Sequence, residues 1–190
     1  MINRGQLNDL LVAEKELYLG DNKNKIKQMK RSCHKRYLIF MYLYYFRCCQ
    51  YYRDLRISKD ASKLEKKLAK YKYRYYEKKK NIFSYKSGVE IGIDSKVGKC
   101  CDIWHSGVVI NGDVGDNCVF HGNNTIGNKG VHGSDRRPVI GDNVDIGVGA
   151  IVIGDIDIAD NSIIGAGSVV TKSFTDENSI VVGVPGRKIN

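Results

Sequence analysis

The stretch DIWHSGVVI, residues 102–110, sets one histidine, His105, beside a tryptophan, Trp104, among small and branched residues. Imidazole changes charge near neutral pH without help, so His105 has the chemistry of a proton acceptor. Three more histidines are present, His34, His121 and His132. From His105 the gaps are 16 and 11 residues, not the spacing of a close histidine pair on zinc. Six cysteines (33, 48, 49, 100, 101, 118) show no CxxC, and two adjacent pairs are poor material for a disulfide framework. No metal is expected, and the thiols are expected to stay free in a reducing cytoplasm.

The elements that must position His105 come from two unlike halves. Residues 1–86 hold 23 Lys/Arg against 8 Asp/Glu, and all twelve tyrosines. Residues 87–190 hold 8 against 13, and most of the glycines. The total of 190 residues suits one sizeable domain with a helical extension. The first half reads as three helices, roughly 5–19, 35–56 and 61–80. Ser62 and Glu65 make a capping box, and Leu64, Leu68, Tyr71 and Tyr75 form one stripe at helical spacing. This basic, Tyr-rich surface either packs its stripe between subunits or meets an anionic membrane surface or a polyanionic glycan. No nucleic-acid motif accompanies the charge, so no nucleic-acid partner is expected. The most apolar run, Tyr37–Phe46, has ten residues, against about 20 for a membrane span. With no signal peptide visible, the expected location is the cytoplasm, at most at the inner face of the membrane.

The second half is a repeat. Ile140, Ile146, Val152, Ile158, Ile164 and Val170 recur every six residues. The same period runs through Ile91, Val97, Ile103 and Val109, and again through Val114, Phe120 and Ile126. Six is wrong for an amphipathic helix and too long for strand alternation; it fits short strands stacked as coils. Cys101 and Cys118 fall at matching small-residue positions and read as core filler. The period breaks after Val109, and again between Ile126 and Ile140, where the Gly-rich, charged segment 127–138 must loop out.

This pattern resembles the hexapeptide-repeat acyltransferases, and within them the serine acetyltransferase-like subgroup. The likeness rests on VEIGIDSKVGKCCDIWHSGVVING (89–112), GDNCVFHGNNTIG (115–127), PVIGDNVDIGVGAIVIGDI (138–156) and IIGAGSVVTKS (163–173). It implies a mainly β chain: a left-handed parallel β-helix of about five coils over 87–190, preceded by the helical region 1–86. It makes His105 the general base and places the family's carboxylate partner on Glu90, where better known members have Asp. Such a pair suits acyl transfer from a thioester to a hydroxyl, the acid fixing the tautomer of the base. Acetyl-CoA is the implied donor. Matching positions for it are Val148, Gly149, Ala150, Ala166, Thr171 and Lys172, with Arg187 near the CoA phosphates. A homotrimer is implied, with sites between subunits.

On the acceptor side the likeness frays. Serine acetyltransferases have Asp before the catalytic histidine, to hold the amino group of serine; here Trp104 stands. Their loop ends in Asp-Arg-His-Pro; here it reads DRRP, with Arg136 kept and Arg137 in place of the histidine. His132 sits in the same loop and can reach an acceptor. His121 reads as a turn residue. The lost acid and the gained indole favour a sugar hydroxyl of a capsular or other surface polysaccharide. L-serine is the second reading, and a non-catalytic scaffold the third.

Overall fold

Gly88 marks the change of architecture. It closes a 25-residue helix in the left-handed conformation (φ 66°, ψ 28°), and the first β-strand starts at the next residue. The computed structural model describes residues 2–128, 130 and 136–190. These form two units, divided between Gly88 and Val89.

The first unit holds four helices, α1 (Arg4–Leu19), α2 (Lys23–Arg31), α3 (Lys35–Ile57) and α4 (Lys63–Ser87). Sequence periodicity anticipated α1 and α3 but missed α2, and it ended α4 too early. With only Ile26 and Met29 among basic and polar residues, α2 shows little apolar rhythm; the Asn22 cap on Asn24 and Lys25 starts it. No breaker follows residue 80 until Gly88, so α4 runs on. The apolar run in α3 is core: Ile39, Phe40, Tyr42, Leu43 and Phe46 are buried. Arg47 and Glu14 are buried with it, paired at 2.7 Å. Burial pushes the Cys48 and Cys49 thiols up to about 11, which leaves them unreactive. Leu64, Leu68, Tyr71 and Tyr75 lie exposed on α4. Among the described residues no helix is long and apolar enough to cross a membrane.

The second unit is a three-sided prism of stacked coils. Face one is β1 (Val89–Ile91), β3 (Val108–Ile110), β6 (Thr125–Gly127), β9 (Ile151–Ile153) and β12 (Val169–Val170). Face two is β4 (Asp113–Val114), β7 (Val139–Ile140) and β10 (Asp157–Ile158), extended by bridges from Val97 and Phe174. Face three is β2 (Asp102–Ile103), β5 (Val119–Phe120), β8 (Asp145–Ile146), β11 (Ile163–Ile164) and β13 (Ile180–Val182), closed by the antiparallel β14 (Arg187–Lys188). All other pairings are parallel. Ile140 pairs with Ile158, Ile146 with Ile164 and Val152 with Val170, each 18 positions on, so a regular coil is three six-residue sides. Ile126 pairs with Val152, 26 positions on; the excess is the outlooped segment.

The inward column is the hexapeptide series with one correction. Val109 is 39 % exposed, whereas Val108 and Ile110 are buried. Three branched residues in a row leave the phase open, and the register Val89–Val108 and Ile91–Ile110 decides it. Cys101 and Cys118 are buried filler, and all six cysteines are free thiols.

Candidate active site

The prism has three edges, and His105 lies on the one that joins face three to face one. Gly122, on the next coil, permits this: a Cβ there would stand 2.7 Å from His105 Cβ. The same edge continues through Gly122 and Asn123, then Val148 and Gly149, then Ala166 and Gly167. Backbone bonds join the turns: Asn123 N–H donates to Ser106 O, Gly149 N–H to Gly122 O and Gly167 N–H to Val148 O, each at 2.9 Å. The structure therefore brings His105, Val148, Gly149 and Ala166 into one line.

Two of these glycines are informative because packing does not demand them. Gly149 and Gly167 have φ of 70° and 65°. A Cβ on Gly149 would meet only Gly167 at 4.0 Å, and one on Gly167 nothing within 4 Å. The edge between faces two and three solves the same backbone problem with asparagine: Asn117, Asn143, Asn161 and Asn178 have φ between 55° and 59°. A bare glycine edge thus leaves room outside the coil for something that is not part of this chain.

Other expected residues are distributed differently. Ala150 is fully buried, so its side chain faces the core and only its backbone serves the edge, through its carbonyl to Thr125 N–H. Thr171 and Lys172 follow β12, on the edge between faces one and two, with Lys172 Nζ 5.4 Å from the Phe174 ring centroid. Arg187 is exposed on β14. Glu90 points outward from β1, on face one, and its backbone pairs with Val109. Among the described residues, neither Glu90 nor His105 has a side-chain partner within the chain.

Arg136 and Arg137 stand at the base of the outlooped segment, across face one from His105. Arg136 bonds Asp155 at 2.5 Å and Asp157 at 2.6 Å, and these bonds hold its guanidinium still more firmly charged than usual. Arg137 turns the other way, to the Asp94 carbonyl at 3.1 Å and Asn111 at 3.5 Å. Within a single chain they lie across face one from Trp104. His132 lies outside the described residues. His34 caps α3, Nδ1 accepting from Arg36 N–H.

Sequence reasoning missed the surroundings of Trp104. Its Nε1–H donates to Asp102 Oδ2 at 3.0 Å. Its ring centre is 4.3 Å from that of His121. His121 Nε2 is itself buried, 2.8 Å from Asp145 Oδ1 on the next coil, at ion-pair distance but out of hydrogen-bond alignment. The signal was available: the 17-residue step that sets Cys101 under Cys118 also sets Trp104 under His121. Among the described residues no group of His, Cys, Asp or Glu could hold a metal ion.

The fold is the left-handed parallel β-helix of the hexapeptide-repeat acyltransferases, and the chain is similar to their serine acetyltransferases. The serine acetyltransferase of Neisseria gonorrhoeae superposes with a TM-score of 0.68 at 27% identity, covering 98% of this chain and 67% of that one. A soybean serine acetyltransferase complexed with serine gives 0.70 at 25% identity, over 97% and 70%. In sequence, the serine acetyltransferase of Mycobacterium tuberculosis is 42% identical over 106 residues, 54% of this chain and 46% of that protein. That of Staphylococcus aureus is 42% identical over 108 residues, 55% and 50%. The chain spans about half the length of the curated relatives it matches. No family model matches it.

These relatives overturn the expectation of a polysaccharide acceptor and favour the serine reading.

Proposed function

We propose that the chain is an acetyl-CoA-dependent serine O-acetyltransferase that works as a homotrimer, with residues 89–190 as its catalytic part. The observation that carries this reading is the bare edge leading to His105. Gly149 and Gly167 keep a side chain off it where packing would accept one. An extended thioester laid along Ala166, Gly167, Val148 and Gly149 would end beside the imidazole, its amides within reach of turn backbone.

His105 then takes the proton of the serine hydroxyl as that oxygen attacks the thioester carbonyl carbon. The tetrahedral intermediate collapses with loss of the CoA sulfur, and the imidazolium returns the proton to it. The products are O-acetylserine and CoA, and no covalent enzyme intermediate forms. Glu90, an outward acid on the first rung of face one, is the orienting carboxylate in this reading. Lys172 and Arg187 are assigned to the CoA phosphates.

The separation of the acceptor residues supports the trimer in this reading. Trp104 and His105 occupy one edge of face one, and Arg136 and Arg137 the other. A threefold arrangement sets one edge of a prism against the opposite edge of its neighbour, completing each site from two chains.

The test is CoA release from acetyl-CoA, followed with a thiol reagent upon addition of L-serine, with the mass in solution measured alongside. Serine-dependent release by a trimer is expected. Absence of serine-dependent release from a folded trimer that binds CoA would overturn the reading.

A further inference from the structure

Trp104 stands where the serine reading needs a counter-charge for an ammonium. We infer that Trp104 is the specificity-determining residue of the acceptor site, its open indole face receiving an ammonium group carried beside the acceptor hydroxyl. The inference rests on the acyl-transfer reading and deepens it.

The ring is held from two sides. Asp102 accepts from Nε1–H at 3.0 Å, which anchors the ring edge and donates electron density toward the π system. The His121 ring packs against it, 4.3 Å away between ring centres and tilted by 49°, with Asp145 Oδ1 2.8 Å from its Nε2. These groups come from successive rungs, since β2 pairs with β5 and β5 with β8. On the other side, β2 is the last strand of its sheet, so no further rung stacks on the indole. Trp104 stays 43 % exposed, next in the chain to His105.

An electron-rich indole face with a carboxylate bonded to its edge is a site for a cation. The ammonium lies against the ring, while Asp102, two residues from Trp104, supplies the negative charge that the missing acid would have supplied. A neutral sugar gains nothing from that charge. His121 and Asp145 are positioning residues: they act on the ligand only through the orientation of the ring.

The chain has a single tryptophan, so its emission reports on this residue alone. The experiment titrates the whole protein with L-serine and, separately, with L-glycerate, which keeps the hydroxyl and carboxylate but lacks the ammonium. Serine should shift or quench the emission with saturation, and glycerate should not at the same concentrations. In steady-state assays Trp104→Ala should raise KM for serine about tenfold with kcat changed by less than about threefold, and Trp104→Phe should recover most of the loss. His121→Ala should open the ring to quenching by iodide and raise KM, and His121→Gln should restore both in part. An unchanged KM in Trp104→Ala, or equal responses to serine and glycerate, overturns the inference even if the wild type acetylates serine. If the wild type transfers nothing to serine, the acyl-transfer reading fails by itself. The emission arm then still decides: a response to serine alone upholds an ammonium site, and no response removes it.

Discussion

Two edges of one prism face the same backbone problem and solve it with different residues. Between faces two and three, the left-handed turn positions after Cys100 carry asparagine, and three of their side chains bond to one another up the stack. Asn117 Nδ2 donates to Asn143 Oδ1 at 3.3 Å, and Asn143 Nδ2 to Asn161 Oδ1 at 3.2 Å. Beside them Asp142 and Asp160 accept from the backbone N–H of Asp116 and Asp142, both at 2.7 Å. That edge satisfies its own polar groups. Between faces three and one, the left-handed positions are mainly Gly107, Gly149 and Gly167, and His105 is left exposed without a partner among the described residues. An edge that closes on itself holds the coil; an edge left open has room for a ligand.

The sharpest way to break this contrast is His105→Ala. The side chain is exposed and unpartnered, so the thermal midpoint should stay within experimental error of the wild type. The kcat for acetyl transfer should fall by about 10²–10⁴-fold, the contribution of a positioned base. A variant that keeps wild-type turnover would show the open edge to be scaffold like the other.

On the closed edge the expectation reverses. Asn143→Ala loses both ladder bonds and puts a residue without a compensating side-chain bond at φ 55°. A destabilisation of about 1–3 kcal/mol is expected in urea unfolding, with KM values for both substrates unchanged. An effect on acetyl-CoA binding without loss of stability would mean that the roles of the edges are exchanged.

The two edges also differ in how far they could be foreseen. The six-residue period of branched aliphatics revealed the stacked coils, because inward side chains repeat whatever the turns do. The phase at Val108–Val109–Ile110 was not decidable locally, since all three residues are equally apolar and only pairing with β1 buries the outer two. The motif singles out His105, and the coil step sets it in line with Val148, Gly149 and Ala166. The Trp104–His121–Asp145 cluster is harder to read: it joins residues from three successive rungs, so the register has to be applied twice. At Ala150 the side chain is buried, so only its backbone is available to the edge.

Exchanging the chemistry of the edges sharpens the comparison further. Gly149→Asn installs on the open edge the residue that the closed edge uses. Asparagine accepts a φ of 70°, and its Cβ would have only Gly167 nearby, at 4.0 Å. Stability should therefore change by no more than about 0.5–1 kcal/mol. KM for acetyl-CoA should rise about tenfold, the side chain occupying the path along the turns. Gly167→Ala, whose Cβ would meet nothing within 4 Å, should act in the same direction and more weakly on binding, while paying more for its backbone. Wild-type affinity in both would show that nothing lies along that edge.

The third edge, between faces one and two, stands between these cases, and the smallest effect is expected there. Arg137 spans two coils, to the Asp94 carbonyl at 3.1 Å and toward Asp113 at 3.7 Å, and is 27 % exposed. Arg137→Ala removes the hydrogen bond to the Asp94 carbonyl, a long one to Asn111 and one loosely aligned ion pair near solvent, worth about 0.5–1 kcal/mol together. The ionic share should shrink as salt is raised toward about 1 M, where the screening length falls to about 3 Å, while the bond to the carbonyl persists. A loss of stability that salt leaves wholly intact would identify Arg137 as a hydrogen-bonding strut. A rise in KM for serine beyond about threefold with stability unchanged would instead place its guanidinium in the site completed by the neighbouring chain, and so move this edge to the side of the open one.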